Sequence, residues 1–159
     1  MRIRQQVYFG IQSEDTTAAN LTGQIGVEPD SFSVRGSRSA TPPRPLKHEW
    51  RVECDDGGLS VEDQVQRIVD RLLPYQGRIA AVVAEIRQKS PGDGSRLQIV
   101  RHFNDDEGDE ESDGEVSTSG VSQLERLGGQ HQLLGWHLSS EVVAFLCEVQ
   151  ADIDCDEFG

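Results

Sequence analysis

The stretch from Leu133 to Gly159, LLGWHLSSEVVAFLCEVQADIDCDEFG, decides the fold class. Leu133 to His137 reads as a strand. Ser139 or Ser140 then caps a helix carrying Val142, Val143, Phe145, Leu146 and Cys147, with Glu141 favourably set against the helix dipole. Val149 to Cys155 reads as the last strand and ends in an alternating row, Ala151-Asp152-Ile153-Asp154-Cys155-Asp156. Alternation gives that row one apolar and one acidic face. Strand, capped helix and strand in succession make this a chain of mixed α and β structure.

The upstream chain has the same character. Ile3 to Gln12 is a strand with Ile3, Val7, Phe9 and Ile11 on one face and Gln5 as an interruption. Arg2, Arg4, Gln6, Tyr8 and Gln12 share the other face. A short helix is expected near Asp15 to Thr22, capped by Ser13 or Asp15 and stopped by Gly23. Ile25 and Val27 lead through Pro29 into a short edge strand, Ser31 to Val34. His48 to Cys54 alternates Trp50, Val52 and Cys54 against Glu49, Arg51 and Glu53. Ser60-Val61-Glu62-Asp63 has capping-box spacing, with Asp replacing the usual Glu or Gln. Val61, Val65, Ile68, Val69, Leu72 and Leu73 then form a broad apolar helical stripe. Pro74 disfavours a straight continuation, yet Ile79, Val82, Val83 and Ile86 keep the period. The expectation is one kinked long helix, or two consecutive helices, ending by Lys89. Leu97, Ile99, Arg101 and Phe103 alternate with Gln98, Val100 and His102 in a further strand.

These segments assemble into one α+β domain spanning residues 1–159. Its antiparallel or mixed sheet has about five strands, packed on one face by the long helical segment and two shorter helices. Phe9, Ile11, Ser13 and Glu14 match Trp136, Leu138, Ser140 and Glu141 at one fixed offset. Two β-α-β halves flanking the central helix would account for that echo.

The net charge is −13, and eight of the 28 acids lie between Asp105 and Glu115, where there is no base. Without that run the chain carries −13 + 8 = −5. A sequence pI of about 4.6 argues against general nucleic-acid or anionic-membrane binding and favours a basic partner. Residues at about 104–130 are polar, acidic and rich in Gly and Ser. They are expected to form a flexible insert with a brief helical turn around Val121 to Leu127. Cys54, Cys147 and Cys155 form no C-x-x-C pair, and Cys147 and Cys155 fall on apolar faces. They read as reduced core thiols of a cytoplasmic protein, buried and inert. No apolar signal segment follows Met1-Arg2-Ile3-Arg4, and no run approaches membrane-spanning length.

Three clusters are candidates for chemistry. Asp152, Asp154 and Asp156 place carboxylates about 7 Å apart on one strand face. They suit a divalent cation, or pairing with Arg2 and Arg4 if the first and last strands are neighbours. Asp105, Asp106, Glu107, Asp109, Glu110 and Glu111 form an acidic run that suits either solubility or capture of a basic partner. Asp109, Glu111, Asp113 and Gly114 approximate the opening of an EF-hand loop, but its twelfth position is Gly120 where a bidentate Glu is needed. Arg35, Arg38, Arg44, Lys47 and His48 concentrate positive charge and close on Trp50, a set that suits an anionic ligand. The histidines His48, His102, His131 and His137 lack metal-site spacing, and there is no P-loop, dinucleotide fingerprint or G-x-S-x-G. No cofactor and no catalytic residue is assigned.

Several segments occur together in a known order. They are Val7-Tyr8-Phe9-Gly10-Ile11 with Ser13-Glu14-Asp15; Ile25-Gly26-Val27-Glu28-Pro29 with Arg35-Gly36; His48-Glu49-Trp50; and Gly135-Trp136-His137-Leu138-Ser139 with Ala151-Asp152-Ile153-Asp154. This pattern resembles the bacterial family called domain of unknown function 4279. The resemblance covers most of the chain except the acidic insert. It implies a compact α+β domain and transfers no catalytic residues.

The expected function is that of a small acidic cytoplasmic binding protein, an immunity- or antitoxin-like inhibitor of a basic protein. The alternative is a small anionic-ligand binder or enzyme using the basic loop 35–48 and the Asp-rich last strand. A third reading is assembly through an exposed sheet edge, with Val34 or His137 on an edge strand. Sequence does not rank strand order or set the oligomeric state.

Overall fold

The computed structural model describes residues 2–104 and 135–158. Strand β1, Arg2–Ser13, runs through the centre of a five-stranded mixed sheet. It pairs antiparallel with β3, His48–Cys54, on one side and β4, Gly94–Asn104, on the other. Short β2, Ser31–Ser33, lies antiparallel outside β3, and β5, Asp152–Phe158, lies parallel outside β4. The strand order is β2-β3-β1-β4-β5.

Helix α2, Val61–Leu72, continues through a 3-10 turn, Leu73–Tyr75, into α3, Gln76–Lys89. The Ser60 hydroxyl accepts the Asp63 amide at 3.1 Å and caps α2. Proline has no amide to continue an α-helical ladder. Pro74 therefore falls in the tighter turn, and the helix resumes beyond it. Helix α1, Ala18–Ile25, and α4, Ser140–Glu148, complete the helical layer. Val7, Phe9 and Ile11 of β1, Trp50 and Val52 of β3, and Leu97 and Ile99 of β4 share one core with the buried residues of all four helices. Phe145 of α4 meets Phe9 edge-on at 6.0 Å, tying the C-terminal helix to the central strand.

Helix α1 starts and stops later than expected. Ser13 belongs to β1, and its hydroxyl accepts the Asp15 and Thr16 amides in the turn. Thr17 caps α1 instead, accepting from the Asn20 amide. Gly23 is an exposed interior position, and the helix ends at Gly26, whose φ of 86° suits a residue without a Cβ.

The strand expected at Leu133 to His137 is not formed in its described part, because residues 135–139 are irregular. Trp136 and Leu138 do turn toward the core, as alternation requires. The His137 amide, however, donates to Glu62 Oε1 of α2 at 2.8 Å. A side chain thus takes the place of a neighbouring strand. The proposed symmetry of two β-α-β halves fails at this point. Leu133 and Leu134 lie outside the described residues.

Strand β5 begins at Asp152, later than Val149, because Val149 is buried and caps α4 through its amide to Phe145 O. Cys147 and Cys155 are exposed and Cys54 is partly buried, which corrects the expectation of core thiols. Cys147 lies off the buried stripe of α4, which is formed by Val142, Phe145 and Leu146. Cys155 is on the helix side of β5, but β5 is an edge that the helices do not cover. All three thiols are free.

Candidate functional site

One-sided packing leaves the other sheet face polar. On β1 that face carries Gln6, Tyr8, Gly10 and Gln12, because their neighbours Val7, Phe9 and Ile11 point to the core. Register sets Tyr8 between Glu53 and Gln98, and Gly10 between Arg51 and Arg96. Gln12 lies opposite Glu49. Parallel pairing then puts Asp152 beside Arg96, Asp154 beside Gln98 and Asp156 beside Val100.

These side chains form a hydrogen-bonded layer. Glu49 takes Arg51 at 2.5 Å and Gln12 at 3.0 Å. The Arg51 guanidinium lies 4.3 Å over the Tyr8 ring, a cation–π contact. Ser31 and Gln6 both donate to Glu53. Burial raises the Tyr8 phenol above its usual pKa, with Glu49 and Glu53 adding to the rise against the pull of Arg51 and Arg96. The phenol therefore stays a neutral hydrogen-bonding group near neutral pH.

Asp152 is held from α3, and Asp154 and Asp156 from the neighbouring strand β4. Arg87 lies 3.4 Å from Asp152, and Arg96 lies 3.2 Å from Asp154. Gln98 donates to Asp156 at 2.9 Å. Strand β4 separates β1 from β5, so the strand that carries Arg2 and Arg4 is not the neighbour of the acidic row. Among the described residues no three His, Cys, Asp or Glu side chains converge on a cation position. The row is a paired acidic border on the polar face.

The basic-loop residues disperse. Trp50 points into the core, fully buried, and its indole donates to Thr22 Oγ1 at 3.2 Å. Lys47 reaches Asp93 at 2.6 Å and Gly92 O at 2.9 Å. The Arg35 guanidinium bonds Glu14 O, while its amide donates to His48 Nδ1. Arg38 and Arg44 are exposed. Arg35, Arg38 and Trp50 do not converge, and the loop joins β2 to β3 and is tied through Lys47 to the turn before β4. Val34 immediately follows edge strand β2, whereas His137 is in no strand. Asp105, Asp106, Glu107, Asp109, Glu110 and Glu111, and the EF-hand-like segment with them, lie outside the described residues.

Sequence reading had found each half of the polar face, on β1 and on β3, without joining them. Their juxtaposition depends on strand order, which periodicity does not carry. It missed Asp93 and Glu62, whose importance comes from tertiary contacts alone.

The chain matches the family model described as Domain of unknown function (DUF4279) over residues 2–158, and it belongs to that family. No curated protein and no solved structure matches it.

Proposed function

We propose that this protein is a non-enzymatic binding protein that masks a basic protein partner, in the manner of an immunity protein or antitoxin. The observation that carries the reading is the sheet face that none of the described helices covers. It is held in shape by Tyr8, Glu49, Arg51, Glu53, Arg96 and Gln98, and it ends in the border of exposed Asp152, half-buried Asp154 and exposed Asp156. A surface whose side chains are already ordered loses little entropy on docking. A net charge of −13 adds long-range attraction for a basic surface. The same reading places the protein in a bacterial cytoplasm, where three free thiols persist. No described helix is long and apolar enough to cross a membrane.

The test compares wild type with a variant carrying Asp152→Asn, Asp154→Asn and Asp156→Asn. Both are used to capture partners from host lysate over a salt series. A stoichiometric basic protein, released by salt and lost in the variant, is the expected result. Identical captured material from both chains would overturn the assignment of this face.

A further inference from the structure

We propose that the two edges of the sheet join head to tail, β2 of one copy against β5 of the next, so that copies of this chain continue one sheet. Among the described residues neither edge strand has a sheet partner on its outer side. Both also carry large apolar side chains in solvent. Phe32 of β2 is 65% exposed, with Val34 and Leu46 exposed nearby in sequence. Ile153 of β5 is 49% exposed, with Phe158 exposed at the end of the strand.

The registers match across the joint. Phe32 lies opposite Trp50 and Ile153 lies opposite Leu97, so both belong to the helix side of the sheet. Ser31-Phe32-Ser33 and Asp152-Ile153-Asp154 share one polar–apolar–polar alternation. Strand β2 runs with β1, whereas β5 runs against it. A second copy placed beside the first with its helices on the same side therefore meets it antiparallel. Setting Phe32 against Ile153 then brings Ser33 beside Asp152, a hydroxyl facing a carboxylate, and Ser31, whose own proton is given to Glu53, beside Asp154.

Charge selects unlike edges over like ones. Strand β5 carries Asp152, Asp154, Asp156 and Glu157 with no base of its own, so two β5 edges repel. Strand β2 is uncharged and leads into a loop holding Arg35, Arg38 and Arg44. The unlike joint sets the start of that basic loop beyond Asp152, at the N-terminal end of the neighbouring copy's β5. Such an interface is heterologous and grows until a ring closes or a filament forms. It goes beyond the partner reading: it rests on the backbone edge and Ile153 of β5 and shares with that reading only the charge of the strand.

The experiment uses the purified full chain alone, so its failure leaves the partner reading untouched. Sedimentation velocity is run from micromolar to near-millimolar protein for wild type, Phe32→Lys and Ile153→Lys. Wild type is expected to grow past the dimer with concentration, and each variant to stay monomeric. Mixing the two variants one to one is expected to restore a dimer that grows no further, because each retains one working edge. Milder variants, Phe32→Ser and Ile153→Thr, with matched urea midpoints guard against simple unfolding. Wild type that stays monomeric throughout would overturn the proposal and leave the β5 acids as guards against pairing. Association lost in both variants and not recovered on mixing would overturn it as well.

Discussion

Lys47 Nζ lies 2.6 Å from Asp93 Oδ1, and this contact fastens the basic loop to the turn between α3 and β4. The Asp93 side chain is only 2% exposed, and its other oxygen accepts the Glu14 amide at 2.9 Å. Three loops therefore meet on one carboxylate. A residue that sequence reading assigned to ligand binding is a structural tie.

That tie has a pH signature. Burial pushes the Asp93 carboxyl up, but hydrogen bonds from Lys47 and the Glu14 amide outweigh it and hold the pKa below its ordinary value. A depressed folded pKa contributes stability that is present above the unfolded value, about 4, and is lost as pH falls through the folded value. Asp93→Asn is expected to cost about 1.5–3 kcal/mol at pH 7. The gap to wild type should shrink in acid. Urea unfolding at pH 7 and pH 3 checks it; an undiminished gap at pH 3 would assign the loss to shape rather than charge.

The Ser60 hydroxyl accepts the Asp63 amide and donates to the Asp63 carboxylate at 2.8 Å. The shorter acid at this position of the capping box bonds the hydroxyl itself. Ser60→Ala is expected to destabilise the chain by about 1 kcal/mol. A lower urea midpoint with an unchanged slope would show that only stability moved.

On the polar face, Tyr8 is the reporter. Burial, reinforced by Glu49 and Glu53, holds its phenol above the usual value of 10.0. The neutral phenol therefore favours the fold below about pH 10, and that contribution is lost as pH rises through the folded pKa. Tyr8→Phe should remove phenol ionisation that lies above pH 10 in an absorbance titration. A curve above pH 10 that Tyr8→Phe leaves unchanged would mean that Arg51 and its neighbours do not enclose the ring.

Much of the fold was legible because its elements carry strong local patterns. The β1 and β3 alternations, the Ser60 cap and the apolar stripe of α2 each specify their element without help from distant residues. Boundaries set by tertiary contacts were not legible. Trp136 and Leu138 alternate like strand residues, yet Glu62 takes the His137 amide that a strand would have used. The alternation that sets Trp50 with Val52 already assigns its ring to the core, where it lies fully buried and away from the basic loop. By contrast, nothing local says that Arg96 rather than Arg4 will meet the acidic strand, since that depends on β4 lying between β1 and β5.

The glycines of α1 separate local from tertiary signals by experiment. Gly23 has nothing within 4 Å of a built Cβ, and it sits inside the helix. Gly23→Ala is therefore expected to stabilise by about 0.5–1 kcal/mol. Gly26 has a φ of 86°, and a Cβ there would sit 2.9 Å from the Arg78 guanidinium. Gly26→Ala is expected to destabilise by about 1–2 kcal/mol. Thermal melts of the two variants should move in opposite directions, and equal losses would place the helix end back at Gly23.

The last prediction divides long-range attraction from contact. Deleting residues 105–115 removes eight acids and takes the net charge from −13 to −5 while leaving the β5 border intact. If a basic protein is the partner, the deletion lowers the association rate by about tenfold or more at low salt and flattens its salt dependence. The dissociation rate stays nearly unchanged, because the docked surface is the sheet face. Replacing Asp152, Asp154 and Asp156 with Asn should do the reverse, raising the dissociation rate with a smaller effect on association. Surface plasmon resonance over a salt series reads both rates. A deletion that leaves the association rate and its salt slope unchanged would remove the acidic run from the binding mechanism.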